Sequence, residues 1–576
     1  MITVPDLAYM AVYIALIVVV AKPLGLFMMA VYEGKRTFLH PVIRPVESGI
    51  YRVAGVDESK EQGWKAYTIA LLLFNLAGFL LLYFILRFQE HLPLNPQSYP
   101  GMKPSLAFNT AVSFVTNTNW QSYGGETTLS NFSQMFGLTY QNFVSAAVGM
   151  CVLVALIRGL ARHSASTIGN FWVDLVRGTL YILVPLSFIF AIFLVSQGVV
   201  QNFHSFKEVT TLEGAQQVLA LGPVASQIAI KQLGTNGGGF FNVNSAHPFE
   251  NPTAWTNLVE MLSILLLPAG VVYMYGKMVG STKHGWVVLG VMTSFLIAGA
   301  VITNVAEQSG NPLIADQGVT REAGDGQPGG NMEGKETRFG IGESTLWAVT
   351  TTLASNGSVN SMHDSYTPVG GLVPMANMAT SEVIFGGVGS GMYGMVLYII
   401  LSVFIAGLMV GRTPEYLGKK IEPREMKAVM LAVLAFALVM LSWAAVGAVN
   451  SFGTDTLNNA GPHGLSEIIY AFDSGAANNG SAFAGLGANG TFYNLGIGVC
   501  MLAGRFLFII PVMVIAGSMV TKKRVAPGPG TFPVDGVLFG GLLTGVILLV
   551  GLLTFFPAFS LGPIVEHYAM GNGATY

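Results

Sequence analysis

Ten long apolar stretches divide the sequence, and each is long enough to cross a lipid bilayer as a helix. A spanning helix requires about 20 mostly apolar residues. The stretches cover residues 5–30, 67–88, 140–160, 175–197, 255–278, 286–305, 392–410, 428–449, 495–520 and 537–556. The pattern therefore predicts an all-α polytopic membrane protein with ten transmembrane helices.

Four shorter apolar stretches lie within the long polar connections between these helices. They cover residues 105–115, 223–233, 343–354 and 465–472, and all are too short to span a bilayer. A turn rich in small polar residues follows each of them. A short helix followed by such a loop is typical of re-entrant architecture.

The loops after the short helices align with one another. Their third positions are separated by 118, 120 and 123 residues, so the sequence carries an internal fourfold repeat. We therefore predict four pseudo-symmetric repeats of helix, pore loop and helix, as in a potassium channel, with one extra helix at each end. The aligned triplets are Asn117-Thr118-Asn119, Thr235-Asn236-Gly237, Ser355-Asn356-Gly357 and Asn478-Asn479-Gly480.

The positive charges predict the orientation of the chain. Most of the 28 Lys and Arg residues fall in loops on one side of the predicted helices, and the cytoplasmic side of a membrane protein carries this excess. Ten helices then place both termini and the four long connections outside. The predicted segments are an N-terminal helix with its cytoplasmic loop (1–60), pore repeats (61–164, 165–282, 283–425 and 426–525) and a C-terminal helix (526–576).

Composition agrees with a membrane environment. Hydrophobic residues make up 52% of the chain and charged residues 10%, whereas a soluble domain has about 25% charged residues. The net charge of -2 gives no reason to expect nucleic acid as a partner. Membrane lipid is the expected surrounding.

A ring of four such loops suits a dehydrated monovalent cation, because inward-pointing backbone carbonyls replace its water. Gly tolerates positive φ best and Asn second best, which explains why the third positions are Gly or Asn. The C-terminal ends of the short helices add partial negative charge. The alternative is that the glycines only form tight turns that cap helices. The predicted potassium filter, which binds through backbone carbonyls, comprises Thr116, Asn117, Thr118, Asn119, Thr235, Asn236, Gly237, Gly238, Ser355, Asn356, Gly357, Ser358, Asn478, Asn479, Gly480 and Ser481.

The second helix of the third repeat is predicted to be broken. The start of this helix is rich in glycine, and each glycine in a helix interior lowers helix stability by about 1 kcal/mol relative to Ala. We therefore predict a gating loop below the filter, where non-helical backbone lines a cavity. Close helix packing through glycine is the alternative. The loop residues are Gly386, Gly387, Gly389, Ser390 and Gly391, within 381–391.

Two arginines lie at membrane depth or close to it. Arg505 is in the middle of the ninth span, where an arginine costs about 2.5 to 3.5 kcal/mol, so it is predicted to face the aqueous interior as a barrier or switch. Snorkelling toward the cytoplasmic face is the alternative. Arg412 lies at the end of the seventh span, and the same two interpretations apply to it.

Two histidine and carboxylate pairs lie in outer loops. They are His363 with Asp364, and His247 with Glu250. Their spacing matches no common metal site, so we interpret them as loop scaffolding.

Several long stretches resemble one family. They are TNTNWQSY at 116–123, GTNGGGFFNVNSAHPFENPT at 234–253, VNSMHDSYTP at 359–368, GRTPEYLGKK at 411–420 and NNGSAFAGL at 478–486. On these stretches the chain resembles the KdpA family over its whole length. KdpA proteins are the potassium-binding and translocating subunits of bacterial Kdp-type potassium-transporting ATPases.

The resemblance implies a subunit of the bacterial inner membrane that transports K+ and carries no organic cofactor. It implies three partners: the P-type ATPase subunit KdpB, the single-span subunit KdpC and the small subunit KdpF. Potassium would enter from outside, pass the filter and the broken helix, and leave through an intersubunit tunnel. By position it implies filter roles for Gly237, Gly357 and Gly480, a filter-flanking role for Gln121, and gating or tunnel roles for Glu382, Ser390, Arg412 and Arg505.

The sequence itself shows neither an Asp-Lys-Thr-Gly phosphorylation motif nor a Walker loop. No catalytic residue is therefore assigned to this chain, and ATP hydrolysis is expected on a partner. A self-sufficient channel or an ion-coupled symporter with the same pore is the main alternative. An intramembrane enzyme would require a nucleophile or metal ligands at membrane depth, which the sequence does not suggest.

Overall fold

The computed structural model describes residues 2–324, 327–381, 383–411, 413–526 and 531–574. Ten helical segments in this part of the chain are long and apolar enough to cross a membrane. The prediction of an all-α polytopic membrane protein is therefore confirmed.

The elements follow one another in this order. The α-helices are α1 (Val4–Tyr32), α2 (His40–Ala54), α3 (Trp64–Arg87), α4 (Pro104–Val115), α5 (Gly125–Thr128), α6 (Tyr140–Ala161), α7 (Phe171–Arg177), α8 (Val184–Ser196), α9 (Val224–Leu233), α10 (Ala254–Met278), α11 (Thr282–Gln308), α12 (Pro312–Asp316), α13 (Gly340–Leu353), α14 (Pro368–Ala379), α15 (Ser390–Met409), α16 (Pro423–Ala448), α17 (Ser451–Thr454), α18 (Gly461–Ala477), α19 (Thr491–Met519), α20 (Val537–Phe559) and α21 (Val565–Gly571). Short π-helical segments precede α6 (Ser133–Thr139), join α7 to α8 (Gly178–Leu183) and join α20 to α21 (Ser560–Ile564). Two antiparallel hairpins pair β1 (Lys207–Thr210) with β2 (Gln216–Leu219) and β3 (Glu415–Tyr416) with β4 (Lys419–Lys420).

The spanning helices and pore helices repeat four times. Each repeat has a span, a short pore helix and a second span; the pore helices are α4, α9, α13 and α18. Helices α1 and α20 are the extra spans at the two ends. The observed spans match the ten predicted stretches to within a few residues.

Pore helix α18 is longer than the predicted stretch at 465–472. It begins at Gly461 with Pro462 in its first turn, a position where the missing N–H of proline costs nothing. It ends where Asn478 adopts the left-handed conformation, with φ of 60°. The additional turns carry Gly, Pro, His and Ser, so apolar character alone does not reveal them.

The second half of repeat 3 is interrupted. Helix α14 ends at Ala379, and α15 begins at Ser390, with non-helical backbone at 380–381 and 383–389. The predicted break is present. Ser390 and Gly391 lie in the first turn of α15 rather than in the loop, because the loop folds back so closely that a Cβ on Gly391 would overlap the carbonyl of Phe385. Helix α14 itself was not among the predicted elements.

Helix α1 packs along α10 of repeat 2. Tyr13 donates to the carbonyl of Met261 over 3.0 Å, and a Cβ on Gly25 would lie 2.6 Å from the carbonyl oxygen of Gly270. The loop between α1 and α3 contains a helix, α2, that was not predicted from the sequence. Its buried Glu47 pairs with Arg177 of α7 over 3.0 Å, which fixes the loop against repeat 2.

Candidate ion pathway

The four predicted loops turn their amide groups back toward their own pore helices. In every repeat the N–H of the second residue of the triplet donates to the carbonyl five residues earlier, over 2.8 to 3.2 Å. The C=O that precedes an N–H in a planar trans peptide points the opposite way. The first-position carbonyls therefore point away from their own pore helices, and those of Thr235 and Asn478 accept from the side chains of Asn117 (3.0 Å) and Ser355 (3.0 Å) in neighbouring loops. The donor and acceptor pairs are Thr118 to Ser113, Asn236 to Lys231, Asn356 to Thr351 and Asn479 to Ser474.

Third-position glycines bring neighbouring loops into direct backbone contact. A Cβ on Gly237 would overlap the second-position carbonyl of Asn356 in repeat 3. In the same way, a Cβ on Gly357 would meet Asn479 of repeat 4, and one on Gly480 would meet Thr118 of repeat 1. All three glycines have positive φ, of 75°, 73° and 105°. Glycine is thus required twice, for the conformation and for the close approach.

Repeat 1 closes the ring with a different residue. Asn119 adopts φ of 57°, and its side-chain amide donates to the carbonyl of Gly237 over 3.1 Å. Gln121 reaches the same neighbour, because its amide donates to the carbonyl of Gly239 and accepts from the N–H of Gly239. The four loops therefore form one closed ring in the order 1, 2, 3, 4, which we call the filter ring.

Side chains at the second position lock the filter ring further. Each of the three asparagines donates to the preceding repeat: Asn236 to the side chain of Asn117 (2.6 Å), Asn356 to the carbonyl of Lys231 (3.2 Å) and Asn479 to the carbonyl of Thr351 (2.9 Å). Asn478 donates to the hydroxyl of Thr118 over 3.1 Å, which links repeat 4 to repeat 1. These buried hydrogen bonds hold each loop at a fixed distance from its neighbour.

The broken segment of repeat 3 lies directly against the inner end of the filter ring. The N–H of Val388 donates to the hydroxyl of Thr235 over 2.8 Å, and Gly386 donates to the carbonyl of Leu353 at the end of α13. A Cβ on Gly387 would lie 3.4 Å from both Thr235 and Ser355. Gly389, with φ of 86°, approaches Gly149 of α6 so closely that only glycine fits.

A small cavity opens beside this segment. Its volume of about 30 Å³ is enough for a single water molecule. Ser355 and Asn478 of the filter ring line it, together with Ser390 and Arg505. Arg505 is 5% exposed and donates to the carbonyl of Ser145 over 3.2 Å, so its charge lies inside the protein rather than at a lipid boundary.

Comparison with known proteins decides the family. The family model described as "Potassium-transporting ATPase A subunit" matches residues 11–568. The potassium-transporting ATPase potassium-binding subunit of Methylorubrum extorquens is 56% identical over 566 residues, which cover 98% of both chains. The subunit of the same name from Rhodospirillum centenum is 57% identical over 574 residues, covering 100% of this chain and 99% of that one.

The chain belongs to the KdpA family. The resemblance noted in the sequence is thereby confirmed. Among solved structures, the potassium transporter TrkH from Vibrio parahaemolyticus is similar with a TM-score of 0.49 and 12% identity, over 87% of this chain and 98% of that one.

In this KdpA family member, two of the predicted gating residues, Glu382 and Arg412, lie outside the described residues. The two histidine and carboxylate pairs in the outer loops have protein partners. His247 accepts the N–H of Phe249, and Glu250 pairs with Lys231. Burial lowers the pKa of His363 to about 3, and this neutral ring bonds to Tyr470 over 2.8 Å.

Sequence reasoning missed the donors behind the filter ring. Three pore-helix side chains bind the carbonyl of the residue that follows the triplet, which we call the fourth position. Lys231 is fully buried in α9, and an isolated lysine in an apolar stretch too short to span the membrane was the available signal. The donor and acceptor pairs are Ser113 to Trp120 (2.9 Å), Lys231 to Gly238 (3.0 Å) and Trp347 to Ser358 (2.9 Å).

Proposed function

We propose that this chain is the potassium-binding and translocating subunit of an ATP-driven potassium uptake complex. The observation that carries the proposal is the closed filter ring, in which four loops from four repeats meet and turn their first-position carbonyls away from their own pore helices; on this proposal these carbonyls face the ion. Such a ring replaces the water of a dehydrated cation without fixed charge. On this proposal the repeats at 61–164, 165–282, 283–425 and 426–525 are four quarters of one ion pathway.

Potassium enters the filter ring from the outer side of the bacterial inner membrane, where both termini and the long connections lie. The segment around Gly386 to Gly389 blocks straight passage, since Val388 and Gly387 contact the first-position residues. The ion then leaves sideways through the cavity beside Ser390 and Arg505, toward a P-type ATPase subunit of the KdpB kind. The positive charge of Arg505 opposes leakage of cations past this cavity.

The family match and the relatives' printed names support potassium as the ion and an ATPase complex as the assembly. KdpC and KdpF are the further partners that we propose. ATP is hydrolysed on the partner, and this chain supplies binding and passage.

The test is the ATPase activity of the protein purified in detergent, alone and with its co-expressed partners, titrated with potassium and then with sodium. Activity that requires the partners and rises with potassium but not with sodium supports the proposal. A lone chain that passes potassium in liposomes without ATP would instead show a channel or symporter.

A further inference from the structure

The outer end of filter loop 2 differs from the other three loops in what holds it. Its fourth position is Gly238, which follows Gly237, and both have positive φ, of 66° and 75°. The other fourth positions carry side chains that are hydrogen-bonded locally: Trp120 to Ser122, Ser358 to Asn356 and Ser481 to Asn479. Gly239 follows, and three consecutive glycines restrict the backbone little, so this loop depends on contacts from outside itself.

Lys231 supplies that contact. Its side chain is 1% exposed, and its ammonium donates to the carbonyl of Gly238 (3.0 Å), the hydroxyl of Ser245 (3.1 Å) and the carboxylate of Glu250 (2.5 Å). An ammonium has three N–H groups, and these contacts use all three. The direction of the Gly238 carbonyl is therefore fixed by a fully engaged donor.

Glu250 secures the same segment from its other end. Its second oxygen accepts the N–H of Phe241 over 2.9 Å, three residues beyond Gly238. Lys231 and Glu250 thus hold residues 238–241 through the carbonyl of Gly238 and the N–H of Phe241. Because both charges are buried and matched, the arrangement is rigid, and removal of one partner leaves an uncompensated charge.

The charge makes repeat 2 unlike the others. Ser113 and Trp347 bind the corresponding carbonyls in repeats 1 and 3 with neutral donors. Residue 231 also anchors the triplet itself, since its own carbonyl accepts the N–H groups of Asn236 and Gly237. One residue therefore contacts both ends of filter loop 2, whereas Asn119 and Gln121 hold it from repeat 1.

We propose that Lys231 is a positioning residue of the filter, and that its bond to the Gly238 carbonyl sets potassium affinity and selectivity. This inference rests on the proposed function. Releasing the bond frees the Gly238 carbonyl and lets the glycine segment move, which loosens the adjoining contact of Gly237 with the carbonyl of Asn356 without touching the coupling to ATP hydrolysis.

The experiment measures potassium-stimulated ATPase of the assembled complex for Lys231→Met combined with Glu250→Gln. The double substitution removes both charges of the ion pair together, so neither is left without its partner. We expect the potassium concentration for half-maximal activity to rise about tenfold and discrimination against sodium to fall by a similar factor, with the maximal rate within about twofold of wild type. A structural defect alone would lower the maximal rate instead.

The matched control is Lys335→Met combined with Glu307→Gln. This pair is equally buried, with 2.7 Å between its charged atoms, but it joins the end of α11 to the loop before α13, where Lys335 also contacts the ring of Tyr366. The control should leave potassium affinity and selectivity unchanged. Equal shifts in both double variants, or wild-type affinity and selectivity in the Lys231 double variant, would overturn the inference.

If the double variant does not assemble, Lys231→Arg is measured in the same way. It keeps the buried charge but cannot place the same three N–H groups, because guanidinium is planar and its arm is longer. A several-fold shift in affinity is expected, and unchanged affinity and selectivity would refute the inference. Absence of potassium stimulation in the wild-type complex would contradict the proposed function instead.

Discussion

Single backbone atoms decide the geometry of the filter ring. Three third-position glycines let the neighbouring carbonyl approach to where a Cβ would stand, and Asn119 substitutes for the fourth glycine by donating to Gly237. The ring is therefore held by contacts between repeats as well as by the hydrogen bonds within each repeat. One methyl group added at a third-position glycine therefore displaces its own loop and the neighbouring loop together.

Gly237→Ala tests this residue-scale argument. The added Cβ overlaps the carbonyl of Asn356, and alanine at a φ of 75° costs roughly 1 to 2 kcal/mol besides. We expect the potassium concentration for half-maximal ATPase activity of the complex to rise at least about tenfold, with weaker discrimination against sodium.

The control for this substitution is Gly541→Ala in α20, where no atom lies within 4 Å of the added Cβ. It should behave as wild type in the same titration. A Gly237→Ala complex with unchanged affinity and selectivity would remove Gly237 from the filter.

At the scale of elements, the C-terminal ends of several helices meet and need partners for their last carbonyls. Lys419, on strand β4, is fully buried and donates to the carbonyls of Gly159 (2.9 Å), Met519 (2.7 Å) and Arg162. These carbonyls belong to the ends of α6 and α19. A single ammonium thus caps one helix of repeat 1 and one of repeat 4, with a favourable charge for helix C-termini.

Lys419→Met should therefore destabilise the protein. Hydrogen bonds to a charged group contribute about 1.5 to 3 kcal/mol each, and several carbonyls lose their donor, so we expect a loss of at least about 3 kcal/mol. Thermal unfolding of the detergent-solubilised protein measures it. The neighbouring Lys420→Met, whose side chain is exposed, serves as the control, and equal melting temperatures for the two variants would disprove the capping role.

The elements also show what the sequence could and could not predict. Hydrophobic runs predict the ten spans, because the thickness of the bilayer sets the length of a spanning helix. The repeat period near 120 residues predicts the four loops of the ring. Helix α2 was missed because it is amphipathic and too short to span, and α14 because its glycines and Pro374 resemble a loop. Lys231 and Trp347 were missed because their role depends on which face of the pore helix lies against the filter loop. The order of residues in the sequence does not identify that face.

At the scale of the whole molecule, side-chain contacts join repeats 3 and 4 to the C-terminal segment. His463, in the first turn of α18, contacts Glu566 of α21 over 2.7 Å and Asp364 of the loop after filter 3 over 3.1 Å. Asp364 also accepts the N–H of Gly485, which follows filter 4. One imidazole therefore joins repeat 3, repeat 4 and the end of the chain.

This histidine makes stability depend on pH in a defined direction. Burial lowers the pKa of His463, but the hydrogen bonds and charges of Asp364 and Glu566 outweigh it and raise the pKa to about 10. The unfolded value is about 6.5. Since the folded pKa is the higher one, the stabilisation is complete below about pH 6.5 and decreases as the pH rises toward 10.

His463→Gln should therefore lower the melting temperature most at about pH 6, and the difference from wild type should shrink steadily and vanish near pH 10. Melting curves of both proteins between these limits measure the effect, and the difference includes the carboxylates that lose the charge of His463, namely Asp364, Glu566 and Glu467. His567→Gln, an exposed neighbour of Glu566, should show no such trend. A difference that stays constant with pH would mean that His463 packs in this place without carrying charge, and the outer linkage would then be steric rather than ionic.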